Sequence, residues 1–406
     1  MNLPLNFLWR KRSNHRLYSI FIRSFFILQS SFFILLAASC SRRAAPPAPF
    51  FAFVVCQDSS SVAVVDLAEL RVVASLKVSP HPEAAVVRPG SREIYITGPG
   101  GLDRLEWPEF KVYLNSRTDH HPRNLVFSRD GRFAYYLMEP GPLSNPPAGG
   151  ASEPPRLGFS NISFYDCEAR KEIAQINLKA SLNRLALTAD GKTLLATDPA
   201  SGMVHFFDVA TRKALGTVNA GQGAGPIAVQ SFSSKIFVSN TAARSISVVD
   251  TGSRQLFSHI ELGAQPGALL LKPDGGELFV LSSESSTLTI LDAFHDNVLQ
   301  ILTAGRNPVA GVFRRDSSVL YLASAGDGSV MALDVANRLV LGSTFVGREP
   351  RALALTPDER FLAVADAGTS SLAVLIAEPS RLAASRSALL TSLSVGARPV
   401  DVVIPE

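Results

Sequence analysis

The chain has 406 residues, 46% of them hydrophobic, which is too long for one ordinary domain core and suits a repeat array. Its net charge of +4 is local: residues 1–39 hold five basic residues (Arg10, Lys11, Arg12, Arg16, Arg23) and no acidic one, and the remainder has 34 basic against 35 acidic residues, a net of −1. A near-neutral body lacks the cationic footprint of a nucleic-acid binder, so no nucleic-acid partner is expected.

The first element is a leader. Basic residues precede an apolar run from Ser24 to Ala38, and small residues then lead to Cys40. That order is a secretory signal peptide over 1–39. The ending Leu36-Ala-Ala-Ser-Cys40 resembles a bacterial lipobox, with Ala37 where Leu is usual three positions before the Cys. Cys40 is therefore expected to carry lipid. Each buried methylene contributes about 0.8 kcal/mol, so several acyl chains would hold the protein on a cell-envelope membrane, facing the periplasm or the exterior. Ordinary cleavage nearby and an uncleaved anchor helix are the alternatives. Residues 40–49, rich in Pro and Ala, read as a short stiff tether. The other two cysteines, Cys56 and Cys167, fall in blades that do not touch in the register below, so two free thiols are expected.

From residue 50 onward the chain reads as short strands. The block from Gln265 gives the grammar, with strands named a to d from the axis outward. Strand a is Gly267–Leu271, a Lys-Pro-Asp-Gly-Gly turn follows, strand b is Glu277–Leu281, strand c is Thr287–Leu291, and strand d is Asn297–Leu302. Many runs are apolar at consecutive positions, as expected of strands covered on both faces by neighbouring blades. Asp166, Asp208, Asp250, Asp292 and Asp334 each close a strand c and stand 42 residues apart. A period near 40 built from short strands is the signature of a β-propeller. The ab turns keep the same register through Asp190, Asp274, Asp316 and Asp358. Both sets of aspartates are expected to act in turns rather than as a carboxylate constellation.

Extending the period gives registers at 66, 108, 166, 208, 250, 292, 334 and 376. The fold class is all-β: an eight-bladed propeller of four-stranded antiparallel blades over 50–406, with seven blades as the alternative. Blade two, around Leu102–Glu106, is degenerate. Blade three carries an insertion over 139–157 between strands b and c. The first blade lacks a strand a, and Pro399–Ile404 is a strand a with no blade after it. The C-terminal strand is therefore expected to sit innermost in blade one and close the ring.

Phrases such as Lys235-Ile-Phe-Val-Ser-Asn240, Ser245-Ile-Ser-Val-Val-Asp250 and Val346-Gly-Arg-Glu-Pro350 resemble the YVTN-type repeat of the YncE-like, surface-layer-type β-propellers. The resemblance covers roughly residues 50 to 406. Tyr-Val-Thr-Asn itself does not occur intact. The resemblance implies export and binding rather than one reaction. Related propellers include gluconolactonase-like proteins and the haem-binding domain of nitrite-reductase-type cytochromes.

In such a blade the da and bc loops share one face, and strand a starts there. The residues before the da-loop Pro then ring the channel mouth: His81, His121, Gly225, Gln265, Asn307, Glu349 and Arg398. Just deeper come Glu83, Arg123, Asn183 and Arg351. The ligand-binding candidates are His81, Glu83, His121, Arg123, Glu349, Arg351 and Arg398, with the arginines suited to a carboxylate or phosphate. The bland reading is a water-filled mouth, polar in any propeller. His81, His120 and His121 have no carboxylate or Cys at ligand spacing in the sequence, and Cys-x-x-Cys-His is absent, so no metal and no cofactor is assigned. His205, inside a strand c, is expected to pack or to lie at a strand edge. No Gly-x-Ser-x-Gly, His-Glu-x-x-His or phosphate loop occurs, and no catalytic residue is assigned. The expected function is a monomeric, lipid-anchored scaffold for a small anionic ligand or a protein. The alternative is a lactonase-like or haem-propeller enzyme using the same funnel.

Overall fold

The computed structural model describes residues 50–115, 120–140, 160–383 and 388–406, without the side chains of His120, Pro140 and Ala383. The leader, Cys40, the tether and most of the blade-three insertion lie outside these residues. Among the described residues, thirty-two strands form eight four-stranded antiparallel sheets, one per blade. Eight blades, not seven, complete the ring. An apolar cluster fills each of the eight interfaces between successive blades.

The burial of each strand follows from its place. Strands b and c are covered on both faces, and Phe51–Cys56 and Ser61–Asp66 are almost wholly buried. Strands d form the outer rim and are the most exposed, as in Leu339–Phe345 and Asn297–Thr303. In every blade but the second, the c–d pairing carries a register shift, a bulge that strengthens the twist of the outer strand.

The C-terminal strand Pro399–Val403 pairs antiparallel with Phe51–Cys56 (Val54 opposite Val402) and is innermost in blade one. The ring thus closes with strands from both ends of the chain. The aspartates after strand c are turn acceptors. Asp66 Oδ1 accepts the N–H groups of Ala68 and Glu69, and Asp334 Oδ1 accepts that of Asn337. In the ab turns, Asp190 Oδ1 accepts the Thr188 hydroxyl and the Lys192 N–H.

Blade two is degenerate in sequence because it buries charge. Its strand c, Gly101–Glu106, encloses Asp103, which accepts the N–H and hydroxyl of Ser79 at 2.6 and 2.8 Å and the N–H of Asn115 at 3.0 Å. The neighbouring Arg104 donates to Glu93 at 2.6 Å and to Glu106, and Arg88 donates to Glu93 at 2.7 Å. These charges are compensated in place, as buried charges must be. Cys56 and Cys167 are free and buried.

Candidate ligand site at the channel mouth

Strand a is innermost, so its inner edge has no strand partner and forms the channel wall. The loop leading into it is tied down by the last residue of strand b. Asp366 accepts the Glu349 N–H at 2.7 Å, Asn240 donates to the Ala220 carbonyl at 2.9 Å, and the Ser324 hydroxyl donates to the Ala304 carbonyl at 2.7 Å. In blade eight the fit is close enough that a Cβ on Gly347 would lie 1.1 Å from Asp366 Oδ2.

At this mouth His81, Asn307 and Arg398 share a left-handed backbone, with φ of 53°, 51° and 53°. Blade five departs from the expected ring. Strand pairing places Ala224, not Pro226, opposite the last residue of strand b, so the ring position is Gly223 (φ 78°) and not Gly225. The proline there sits two residues farther along the strand. The 42-residue spacing from Gln265 leads to Gly223; alignment on proline misleads.

The candidate side chains separate into pairs and free groups. His121 Nε2 lies 3.2 Å from Glu83 Oε2, across the seam between blades three and two. That hydrogen bond holds the Glu83 carboxyl below its ordinary range, against the opposing effect of burial. A carboxylate therefore does accompany His121, although among the described residues no group of three His, Cys, Asp or Glu side chains is placed to hold a metal. Arg123 is engaged by Glu139 and by the Leu182 carbonyl at 3.0 Å. Arg351 pairs with Glu349. His81 and Arg398 are exposed, and Arg398 has no carboxylate partner among the described residues. His205 is half-buried and stacks on Phe207, with its Nε2 unpaired.

Three further polar side chains sit at this end of the channel. Asn124 donates to the Asn183 carbonyl at 2.7 Å, and Arg184 Nη1 donates to Asn124 Oδ1 at 3.1 Å. Arg184 has no carboxylate partner among the described residues. Burial, and then the neighbouring Arg123 charge, pull its guanidinium below the usual arginine range. Asp401, on the closing strand, accepts the Ala85 N–H at 2.9 Å, a donor on the inner edge of blade two. Burial pushes its carboxyl up. A signal for Arg184 was present in the sequence: Arg184, Pro226, Ala268, Ala310 and Ala352 stand 42 residues apart.

The opposite face holds an open crevice of about 790 Å³ between blades six and seven. Charges there neutralise one another, with Lys272 on Asp274 at 2.9 Å and Arg338 on Glu277.

No protein-family model matches the chain, and no curated protein matches it. Solved structures do. A functionally unknown protein from Desulfotomaculum acetoxidans is 14% identical, with a TM-score of 0.54 over 87% of this chain and 98% of that one. The C-terminal WD40 domain of Sif2 is 14% identical, with a TM-score of 0.58 over 77% and 87%. The dihydro-heme d1 dehydrogenase NirN is 14% identical, with a TM-score of 0.52 over 75% of each chain. At these identities the likeness shows the fold alone, a β-propeller.

Proposed function

We propose that the chain is an exported, lipid-anchored propeller of YVTN type that binds an anionic ligand or protein partner at its da/bc mouth, without catalysis. The observation that carries this reading is the imbalance of charge at the mouth. Arg123 and Arg351 are neutralised by glutamates, whereas Arg184 and Arg398 have no such partner among the described residues. A guanidinium without a protein carboxylate, held on a rigid ring, is a ready recognition element for one brought by a ligand. Export rests on the leader, and anchoring on Cys40.

Two measurements test it. Cys40→Ser should move the protein from the membrane to the soluble fraction; unchanged membrane retention would sink the anchor. Cross-linking from the mouth in intact cells should capture a partner or ligand, and Arg184→Gln with Arg398→Gln should reduce that capture. Capture unaffected by both changes would remove the mouth from the proposal.

The Glu83–His121 contact favours a second reading, an enzyme in which Glu83 orients His121 as a general base. Its mark would be a turnover or a bound chromophore lost on His121→Ala.

A further inference from the structure

The strongest unassigned feature is one level of the channel, just inside the mouth. Strand pairing, with position before the ab turn where strand a bulges, puts one residue of each strand a near that level. In blade order they are Asp401, Ala84, Asn124, Arg184, Pro226, Ala268, Ala310 and Ala352. Asp401, Ala84, Arg184, Ala310 and Ala352 each pair with the penultimate residue of strand b, and Ala268 accepts the Leu281 N–H. Asn124 and Pro226 stand in the bulges of their strands, where Arg123 takes the paired position in blade three. All are partly or fully exposed, and the space open to the innermost strand is the channel. The level is two-sided. Blades one to four contribute Asp401, Asn124 and Arg184; blades five to eight contribute only Pro226 and three alanines.

The polar groups lie on the channel wall. Asp401 is bonded to the free inner edge of blade two through the Ala85 N–H, and Asn124 to that of blade four through the Asn183 carbonyl. Asn124 fits this place because its backbone is left-handed (φ 51°), which Asn tolerates better than most residues. Its amide oxygen in turn receives Arg184, and no carboxylate satisfies the rest of that guanidinium among the described residues.

We infer that this level binds a small organic monocarboxylate, its carboxylate on Arg184 and Asn124 and its hydrocarbon along the alanine arc of blades six to eight. The inference rests on the reading of this face as a ligand site and narrows it to one level and one ligand class. The fork of a guanidinium matches a planar carboxylate. Among the described residues the level carries one cation without a carboxylate partner, Arg184, and one carboxyl without a cation, Asp401, a balance that suits a single negative charge and disfavours a phosphate dianion. Small side chains on the far arc leave room for a slender apolar body and offer it no hydrogen bond.

The test is calorimetric titration of the purified full chain in detergent with hexanoate, its neutral isostere hexanamide, and inorganic phosphate. Hexanoate should bind at least about tenfold more tightly than hexanamide, the worth of one charge-assisted contact. Arg184→Gln should bring that ratio to near one. Asn124→Asp, which keeps the backbone preference but places a carboxylate against Arg184, should do the same. Ala310→Leu should weaken both ligands by filling the arc. Arg71→Gln, on the outer strand of blade one, should leave the ratio unchanged. Thermal midpoints of Arg184→Gln and Arg71→Gln within about 1 °C of the parent would confirm intact rings. Equal affinity for hexanoate and hexanamide, tighter phosphate binding, a ratio that survives Arg184→Gln, or no hexanoate binding at millimolar concentration would each overturn the assignment. Failure here, with cross-linked capture still lost on Arg398→Gln, would leave the mouth reading standing and remove only the channel level.

Discussion

Asp401 offers the sharpest test of how the ring closes. It lies on the last strand of the chain, and its carboxylate reaches from blade one to the Ala85 N–H of blade two at 2.9 Å. No cation compensates it among the described residues, and burial raises its pKa. A raised folded-state pKa means that the folded ring holds the proton more tightly than the unfolded chain, whose aspartates titrate near about 3.9. The stability this group contributes is therefore full below that value and is lost as pH rises through the folded pKa. Asp401→Asn keeps an acceptor for Ala85 and removes the charge. It should match the parent in acid and exceed it at neutral and alkaline pH, with a shallower decline between. Asp401→Ala removes the acceptor and leaves the donor unpaired, at a cost of about 1–3 kcal/mol. A ring of roughly 350 residues unfolds with an entropy on the order of 0.7 kcal/mol/K, so that loss is roughly 1.5–4 °C in Tm. Thermal melts of the three proteins from pH 4 to pH 9 separate the cases. A parent and an Asn variant with the same pH slope, or an Asn variant less stable than the parent at pH 8, would refute the reasoning.

Other outcomes follow from the same structure. Arg104→Ala strips one cation from the buried Glu93 and the half-buried Glu106 and should cost about 3–5 kcal/mol, read as a lower urea midpoint; Arg104→Met should recover part of it. Gly347→Ala drives a methyl group into Asp366 and should cost about 1–3 kcal/mol while loosening the Glu349 loop, seen as faster amide exchange at Glu349. Cys56 and Cys167 should resist N-ethylmaleimide at pH 8 in the folded protein and react in urea, by peptide mass mapping. Burial raises both thiols, Cys167 to about 11, which leaves about a thousandth of it as thiolate.

The architecture was legible because a propeller repeats its turn chemistry. Asp66, Asp166 and Asp334 mark blades since each caps the same cd turn, and that local requirement survives while the strands between them drift. Closure was legible for a similar reason, since a strand a without a blade at one end complements a blade without a strand a at the other. The mouth was only half legible. His121 and Glu83 are 38 residues apart in sequence and belong to separate sheets, so their contact exists only once two blades pack. The neutralisation of Arg123 by Glu139 likewise depends on how strand a lies against strand b, not on spacing. Arg184 was within reach of the sequence. It keeps the 42-residue step with Pro226, Ala268, Ala310 and Ala352, but its da loop lacks the proline that marks the others, with Leu182-Asn183 in its place. The same landmark shifted blade five by two residues. A da-loop proline fixes φ wherever the loop admits it, so it is a weaker ruler than a turn acceptor whose partners are two or three residues away. The period of the ab turns, rather than the proline, thus marks the channel level. At that level the guanidinium and the acid that have no charge partner among the described residues, Arg184 and Asp401, lie on the same half of the ring, opposite an arc of alanines.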